Sequence, residues 1–310
     1  MSQSNQSTAA LLIGFKRIDF LQNRLSELSK NSSIPILVSI DGSDKVTENL
    51  IAISINDFIH GHTEMHIRFK VQEKNLGLAQ HVTHAISEAL KEYDQVIVIE
   101  DDIVLSETFI ENMLGGLHLM KIKENIGVVG AFSVFSGQYI KIVKGKWRIS
   151  AYFPAWGWGI TREKWHDYQL EIPSNYLEVL GQSQTWQSLS RYRKIMWTYR
   201  FKRVTCDNPY TWDYQMQYLL FRRDLVALLP TNRISDNEGF ESVASSNTKG
   251  KRPRWMGKER VFAGILQSKI SKASKFYEIG DAFTIAGDTR LAEKIARFSK
   301  MYVSARRKNS

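Results

Sequence analysis

The sequence predicts an α/β fold in which a mostly parallel sheet is flanked by helices. In the first half of the chain, strand-like apolar runs alternate with segments of helical spacing, the order expected of parallel strands joined by right-handed crossovers. The run Val96-Ile97-Val98-Ile99 is uncharged and β-branched, which is typical of a strand buried on both faces. With 310 residues the chain is long enough for one large domain of this class, or for a domain with an appendage.

The predicted elements follow one another closely as far as residue 132. Helices are indicated by apolar residues three and four positions apart, as in Ile18, Leu21 and Leu25, and strands by short apolar or alternating runs that end at turn residues. A polar N-terminus of residues 1–9 is expected to be disordered. In chain order the elements are a strand at 11–15, a helix at 17–28, a strand at 36–40, a helix ending near 58, a strand at 65–71, a helix at 78–90, a strand at 96–99, a helix at 107–122 and a strand at 126–132.

The excess of positive over negative charge is confined to the C-terminal part of the chain. Residues 251–310 hold 15 Lys and Arg against 5 Asp and Glu, which leaves 27 residues of each sign in the rest of the sequence. A neutral body with a basic appendage is not typical of a nucleic-acid-binding protein, so no nucleic-acid partner is expected. The appendage is predicted to be helical, with apolar residues at helical spacing over 289–303. It would bind an anionic membrane surface, or alternatively pack on the body with a frayed basic end.

The compartment is predicted from what the sequence contains. Cys206 is the one cysteine, which excludes an intrachain disulfide and fits a reducing environment. The first ten residues lack a basic and then apolar signal pattern, and no uncharged run approaches the roughly 20 residues that span a bilayer. We therefore expect a cytoplasmic protein, peripheral at the inner membrane face if the basic segment binds lipid.

Three adjacent acids, Glu100-Asp101-Asp102, follow the buried strand at 96–99. In an open α/β sheet, ligands bind in the crevice at the carboxyl ends of the strands. Adjacent carboxylates repel one another, and their oxygens suit a hard divalent cation such as Mg²⁺ or Mn²⁺ that bridges protein acids to substrate phosphates. No glycine-rich phosphate loop occurs in the first half of the chain, so bound phosphates would depend on a metal and on side chains. The alternative is a solvated acidic turn before a helix.

The second half is rich in aromatic residues. In Trp156-Gly157-Trp158-Gly159 two indoles stand between glycines, which indicates an irregular loop that a ligand could approach closely. Aromatic faces with polar neighbours suit stacking on a sugar ring, so Trp156 and Trp158 are the candidate acceptor-binding residues. For the other six tryptophans, packing in the core is the better interpretation.

Several short motifs follow one another along the chain, and their order and spacing are more specific than any one of them. They are Asp41-Gly42, Asn75-Leu76-Gly77-Leu78, Glu100-Asp101-Asp102, the Trp-Gly-Trp-Gly loop and Trp212-Asp213. This series resembles glycosyltransferases of the GT-A (Rossmann-like) fold, in particular the N-acetylglucosaminyltransferase I branch and similar bacterial surface-glycan enzymes. The likeness covers about residues 10–245. It implies a hexosyl- or N-acetylhexosaminyl-transferase that uses Mn²⁺ or Mg²⁺, a nucleotide-diphosphate sugar donor (UDP-linked by preference), and a glycan or lipid-linked saccharide as acceptor.

The resemblance also implies roles for particular residues. A domain over residues 10–250 would divide into a nucleotide-sugar-binding half (10–132) and an acceptor-binding half (133–250), with 251–310 as the extension. Asp102 would ligate the metal, and Asp101 would face the ribose or support the metal indirectly. The remaining donor-binding residues implied by the resemblance are Asp41 at the base or ribose, Arg17 near the nucleotide, and Lys74 and Asn75 in the segment that lines the donor pocket.

Asp213 is the candidate catalytic base. It lies where a loop enters a helix, and a carboxylate there could take the proton of an acceptor hydroxyl, with burial beside an indole raising its pKa. Aspartate is also a common helix N-cap, so from the residues alone both interpretations stand. The resemblance favours the base, and with it direct displacement and inversion at the anomeric carbon.

The chain departs from the resembled pattern after Gly239-Phe240, where bacterial relatives often carry a histidine and this sequence has none. Glu238 or Glu241 are conceivable replacements. The histidines at 60, 62, 66, 81 and 84 form no convincing zinc pattern, and several are expected on exposed faces.

Two other functions remain open at this point. A sugar-phosphate nucleotidyltransferase also combines an α/β sheet with acid-bound Mg²⁺, although it normally has an early glycine-rich loop. A nucleic-acid-binding protein using the basic segment and the aromatic residues is the second alternative.

Overall fold

A computed structural model of the chain describes residues 7–31, 33–133, 145–205, 209–240, 252, 261–271 and 275–284. These residues form a nine-stranded sheet flanked by helices and a separate two-stranded sheet. The predicted α/β class with a mostly parallel sheet is confirmed.

The strands are β1 (Thr8–Gly14), β2 (Ile36–Ile40), β3 (Ile67–Val71), β4 (Gln95–Glu100), β5 (Ile103–Leu105), β6 (Ile126–Gly130), β7 (Lys146–Ser150), β8 (Trp158–Thr161), β9 (Val226–Pro230), β10 (Ser235–Asn237) and β11 (Gln267–Ser271). The helices are α1 (Ile18–Asn31), α2 (Lys45–Gly61), α3 (Leu78–Glu92), α4 (Phe109–Ile122), α5 (Arg162–Trp165), α6 (Tyr176–Gly181), α7 (Gln184–Ser188), α8 (Arg191–Lys202), α9 (Asp213–Arg222) and α10 (Lys275–Thr284).

The strand order in the large sheet is β11-β7-β9-β6-β8-β4-β1-β2-β3. The half built from β1 to β4 is parallel throughout, because each strand is followed by a crossover helix. Antiparallel pairing enters where β8 inserts between β4 and β6, and where β7 pairs with β9. The two-stranded sheet pairs β5 with β10 in antiparallel register.

Each element predicted in the first half is present, with small shifts at its ends. The largest correction concerns the N-terminus, where β1 begins at Thr8 and not at Leu11, so the expectation of disorder is wrong for residues 8 and 9. Thr8 and Ala9 pair with the start of β4, and Ser7 accepts backbone hydrogen bonds from Asp94 and Gln95. Pairing with a buried central strand therefore orders these residues although they lack a long apolar pattern.

The parallel half of the sheet determines where polar residues collect. Val96, Ile97, Val98 and Ile99 are fully buried in β4, between β1 and β8. Because β1, β2 and β4 are parallel neighbours, their carboxyl ends open at one edge of the sheet. That edge carries the residues that follow Gly14, Ile40 and Ile99.

A second, aromatic core holds the helices of the second half together. Its buried members include Tyr152, Trp186, Trp197, Phe201 and Phe221, with ring centroids of Trp197 and Phe201 5.4 Å apart. This confirms a packing role for Trp186 and Trp197, and Trp147, Trp165 and Trp212 are buried in the main core as well.

Part of the predicted C-terminal extension belongs to the main fold, so the expected boundary at residue 250 is wrong. Strand β11 pairs with β7 at the sheet edge, and α10 carries Asp281, which forms a buried ion pair with Arg148 of β7 at 2.5 and 2.7 Å. The predicted helix at 289–303 lies outside the described residues. In the ranges that the structure describes, no helix is long and apolar enough to cross a membrane.

Candidate active site

A cavity of about 520 Å³ opens at the carboxyl edge of β1, β2 and β4. Residues from both halves of the chain surround it, since the start of α9 and the loop before β8 face the strand ends. The residues that line it are Ile13, Gly14, Phe15, Lys16, Arg17, Asp41, Asn75, Gly77, Leu78, His81, Glu100, Asp101, Asp102, Ala155, Trp156, Thr211, Trp212, Asp213 and Asn237.

The acid cluster forms one wall of this cavity, and Arg17 lies against it. The Arg17 guanidinium donates to the Asp101 carboxylate through Nε, at 3.2 Å, and through Nη2. Its Nη1 donates to Asp102 Oδ2 at 3.2 Å. The turn between β1 and α1 therefore supplies the cation that accompanies two of the strand-end carboxylates.

The cluster still carries more negative charge than Arg17 offsets. Burial, together with repulsion from Asp102, raises the pKa of Asp101 to about 6 in spite of Arg17. Burial raises the pKa of Glu100 well above its ordinary value, and Asp102 and Asp101 raise it further. An additional cation at this position would relieve that repulsion.

The residues present fit a divalent metal of the kind that takes few protein ligands. In the described part of the chain there is no group of three or more His, Cys, Asp and Glu arranged to chelate an ion. Mg²⁺ and related ions are commonly held by one or two carboxylates, with phosphate oxygens and water completing the shell. Asp102, which lines the cavity beside Asp101, matches that pattern.

Asp41 lies at the end of β2, where it organises the neighbouring loop. Its carboxylate accepts hydrogen bonds from the backbone N–H of Leu76 at 2.8 Å and of Gly77 at 3.0 Å, while the Asn75 side chain donates to the Gly42 carbonyl at 2.9 Å. These hydrogen bonds hold the end of β2 against the loop at residues 75–77. Asp41 and Asn75 both line the cavity.

Lys74 is the exception on this loop. A Cβ at Gly42 would lie 2.3 Å from the Lys74 carbonyl carbon, so the two backbones are in close contact. This packing leaves the Lys74 side chain exposed and outside the cavity lining. Lys74 therefore does not line the cavity to which it was predicted to belong.

Asp213 lies on another wall of the cavity, at the first position of α9. The N-cap of this helix is Trp212, which makes no side-chain capping bond, so Asp213 does not hold the N-cap position. Its carboxylate accepts a hydrogen bond from the Thr211 hydroxyl. Burial raises the pKa of Asp213, the direction expected of a general base.

The two tryptophans of the glycine-rich loop have different positions. Trp156 is half-buried and lines the cavity. Its ring packs edge-on against that of Phe132, with the ring centroids 4.6 Å apart. Trp158 begins β8, is fully buried and stacks on Trp212 at 5.2 Å. The prediction that Trp158 contacts the acceptor is therefore wrong: the irregular loop ends at Gly157, whose φ is 75°, and the strand turns the next indole into the core.

His81 and Asn237 are among the polar cavity residues that sequence reasoning did not assign to the site. His81 is buried, its Nε2 lies 2.9 Å from Ser39 Oγ, and burial lowers its pKa to about 4. Its place one residue before Val82 on the buried face of α3 was a usable signal. Asn237 reaches the cavity from β10, and only the pairing of β10 with β5 brings it there.

The suggested replacements for a histidine after Phe240 receive no support from the cavity. Glu238 forms an ion pair with Arg24 at 3.1 Å and does not line the cavity. Glu241 lies outside the described residues.

A mixed sheet of this order, with acids at the end of a central strand, belongs to the GT-A class of nucleotide-sugar glycosyltransferases. The GNT-I family model matches residues 1–188, which is more than half of the chain. The chain therefore belongs to the GNT-I family and is a glycosyltransferase. Family membership favours glycosyl transfer over the nucleotidyltransferase alternative. No curated protein sequence matches the chain.

Several solved structures are similar to parts of the chain. One is the mannosyltransferase PcManGT from Pyrobaculum calidifontis in complex with GDP-Man and Mn²⁺, at 13% identity, a TM-score of 0.39 and coverage of 59% of this chain and 49% of that one. Another is the glycosyltransferase GlyE of Streptococcus pneumoniae TIGR4, at 16% identity, a TM-score of 0.32 and coverage of 64% and 44%. The chain thus spans about half the length of these two enzymes.

Proposed function

We propose that this glycosyltransferase is metal-dependent and transfers a sugar from a nucleotide-diphosphate donor, UDP-linked by preference, to a hydroxyl of a bacterial surface glycan or lipid-linked saccharide. One observation carries the proposal. A single cavity brings Arg17, Asp101 and Asp102 together on one wall and Asp213 on another, although more than a hundred residues separate the two groups in sequence.

The donor would bind along the strand ends. Arg17 is placed to interact with the anionic nucleotide, and Asp41 and Asn75 line the part of the cavity that would receive the base or ribose. Asp102 would hold Mn²⁺ or Mg²⁺, and Asp101 would face the ribose or support the metal indirectly. When bound, that ion would offset the negative charge that develops on the leaving diphosphate.

The chemical step needs a proton acceptor near the incoming hydroxyl. In the proposed reaction the acceptor oxygen attacks the anomeric carbon, Asp213 takes its proton, and the bond to the phosphate oxygen breaks, with the electron pair leaving on the nucleoside diphosphate. A raised pKa makes the Asp213 carboxylate a stronger base than an exposed aspartate. Direct displacement of this kind inverts the anomeric configuration. Trp156 offers an indole against which the acceptor sugar would stack.

Thermal stabilisation by ligands tests the donor and metal site. UDP with Mn²⁺ should raise the melting temperature more than UDP alone, and more than GDP or CMP with Mn²⁺. Asp102→Asn should abolish the Mn²⁺-dependent part of the shift, because it removes the charged oxygen that would bind the ion. Asp57→Asn, the same chemical change on the exposed part of α2, should leave the shift intact. An unchanged Mn²⁺ effect in Asp102→Asn would refute the assignment.

A further inference from the structure

Helix α8 presents an unusual outer face. Tyr192, Ile195 and Tyr199 are 41%, 59% and 64% exposed and lie three and four positions apart, on one side of the helix. Trp197 and Phe201 occupy the opposite side and are buried in the aromatic core. The exposed side chains therefore form a stripe that faces away from the protein; we call Tyr192, Ile195 and Tyr199 the α8 stripe.

The surroundings of the α8 stripe are strongly basic. Residues 191–205 contain no Asp or Glu, and their basic members are Arg191, Arg193, Lys194, Arg200, Lys202 and Arg203. The Arg203 guanidinium lies over the ring of Tyr199 at 5.9 Å and over that of Tyr210 at 5.1 Å. Tyr210 is itself 45% exposed, so the arginine joins the stripe to a further exposed ring.

A second exposed apolar row shows that charge, and not apolarity, distinguishes α8. Val46, Leu50 and Ile53 of α2 are 71%, 51% and 59% exposed. Their helix carries two acidic residues, Glu48 and Asp57, as well as basic ones. Exposed apolar side chains alone are common on protein surfaces. Tyrosines and an isoleucine set among basic residues without any acid are typical of a surface that rests at the headgroup level of an anionic bilayer.

The α8 stripe also continues towards the candidate active site. The ring of Tyr210 lies 6.5 Å from that of Tyr214, and these two residues flank Thr211, Trp212 and Asp213 of the cavity wall. A flat surface in contact with α8 and Tyr210 would therefore lie beside this side of the cavity.

We propose that the outer face of α8, with Tyr210, docks the protein on an anionic membrane surface. Anionic headgroups are complementary to the exposed basic residues Arg191, Lys202 and Arg203, and the aromatic and aliphatic groups contribute apolar contact. Nucleic acid fits less well, because an outward-facing row centred on Ile195 offers no groove for bases and residues 1–250 have no net charge. The inference goes beyond the proposed reaction and does not depend on it.

Co-sedimentation of the full chain with vesicles tests this surface. Vesicles of equal parts phosphatidylglycerol and phosphatidylcholine should bind the protein, and pure phosphatidylcholine should not. The variant Tyr192→Ser/Ile195→Ser/Tyr199→Ser should bind the anionic vesicles on the order of tenfold more weakly. Arg191→Glu/Lys202→Glu should weaken binding at least about 25-fold, since each basic residue near an anionic surface strengthens binding about fivefold and the two new carboxylates are repelled.

Matched variants separate this face from the rest of the molecule. Val46→Ser/Leu50→Ser/Ile53→Ser on α2 and Lys121→Glu/Lys123→Glu at the end of α4 should bind vesicles as the unchanged protein does, and every variant should melt cooperatively. The proposal is overturned if the protein ignores anionic vesicles, if the α8 variants bind normally (the C-terminal basic segment would then be the anchor), or if a single-stranded oligonucleotide displaces the vesicles and binds more tightly through the same residues.

Discussion

Asp213 shows how position gives a common residue a chemical property. Its carboxylate lies at the start of α9, in a cavity that also contains Glu100, and the Thr211 hydroxyl donates to it. Burial raises its pKa, and the hydrogen bond from Thr211 acts in the opposite direction. The net result is a carboxylate with higher proton affinity than one in water.

Replacing Asp213 with asparagine should slow catalysis while leaving donor binding intact. Loss of a general base costs about a hundred- to ten-thousand-fold in rate. Donor hydrolysis, in which water takes the place of the acceptor, provides a measurable rate, and the UDP and Mn²⁺ melting shift reports binding. Asp57→Asn serves as the control. A variant that hydrolyses the donor at the normal rate would exclude Asp213 as the base.

The pH profile of the same reaction provides a second reading. A protonated carboxylate cannot accept a proton, so the rate should fall as the pH drops through the pKa of Asp213. Because burial raises that pKa, the acidic limb should lie above the pH of about 4 at which an exposed aspartate titrates. A limb at or below that pH would contradict the assignment.

At the scale of elements, a buried ion pair joins α10 to β7. The side chains of Arg148 and Asp281 are 1% and 2% exposed, and the Arg148 guanidinium also lies 4.5 Å from the centre of the Tyr277 ring. Removing one member of a buried pair leaves an uncompensated charge in a medium of low dielectric, whereas replacing both with apolar groups of similar size removes that cost.

Asp281→Leu should therefore destabilise the protein by about 3–5 kcal/mol. The double variant Arg148→Met/Asp281→Leu should recover most of the loss, because no unpaired charge remains. Urea unfolding measures both. Equal destabilisation by the single and double variants would show that the pair contributes through shape and not through charge compensation.

At the scale of the whole molecule, the sheet requires residues beyond 250. Strand β11 covers the edge of β7, and the loop before it is held to α4 through Asn112, whose side chain donates to the Gly264 carbonyl and accepts from the Leu266 N–H. These contacts close one end of the nine-stranded sheet.

Two truncations test this. A chain ending at residue 250 should lose about 3–5 kcal/mol or fail to fold, since it would lack β11 and the partner of Arg148. A chain ending at residue 284 should unfold at a higher urea midpoint than one ending at residue 250, because it keeps β11 and α10. Equal midpoints for the two truncated chains would show that β11 and α10 contribute nothing to the stability of the domain.

The sequence predicts the first half of this fold well because its strands and helices are defined locally. Buried β-branched runs such as Val96 to Ile99 and helices with one apolar face carry their own signals. The acids after β4 follow from that order, and the resemblance adds Arg17 and Asp41 to the same donor site; all four residues line one cavity.

The errors concern features that depend on distant partners. Whether Trp158 faces a ligand or the core depends on β8 inserting between β4 and β6, which nothing near residue 158 specifies. In the same way, β11 is a weakly apolar strand that gains its place from β7, and Asn237 reaches the cavity through the pairing of β10 with β5.

The stack of Trp158 on Trp212 has a consequence for how this enzyme could change over evolutionary time. It ties the start of α9, and with it Asp213, to a strand in the middle of the sheet, whereas Trp156 sits on the far side of Gly157 and takes no part in that stack. In the proposed reaction, the group that accepts the proton and the group that contacts the acceptor sugar are therefore held by different parts of the fold. A library randomised at Trp156 can explore new acceptors while the proton-accepting group keeps its place.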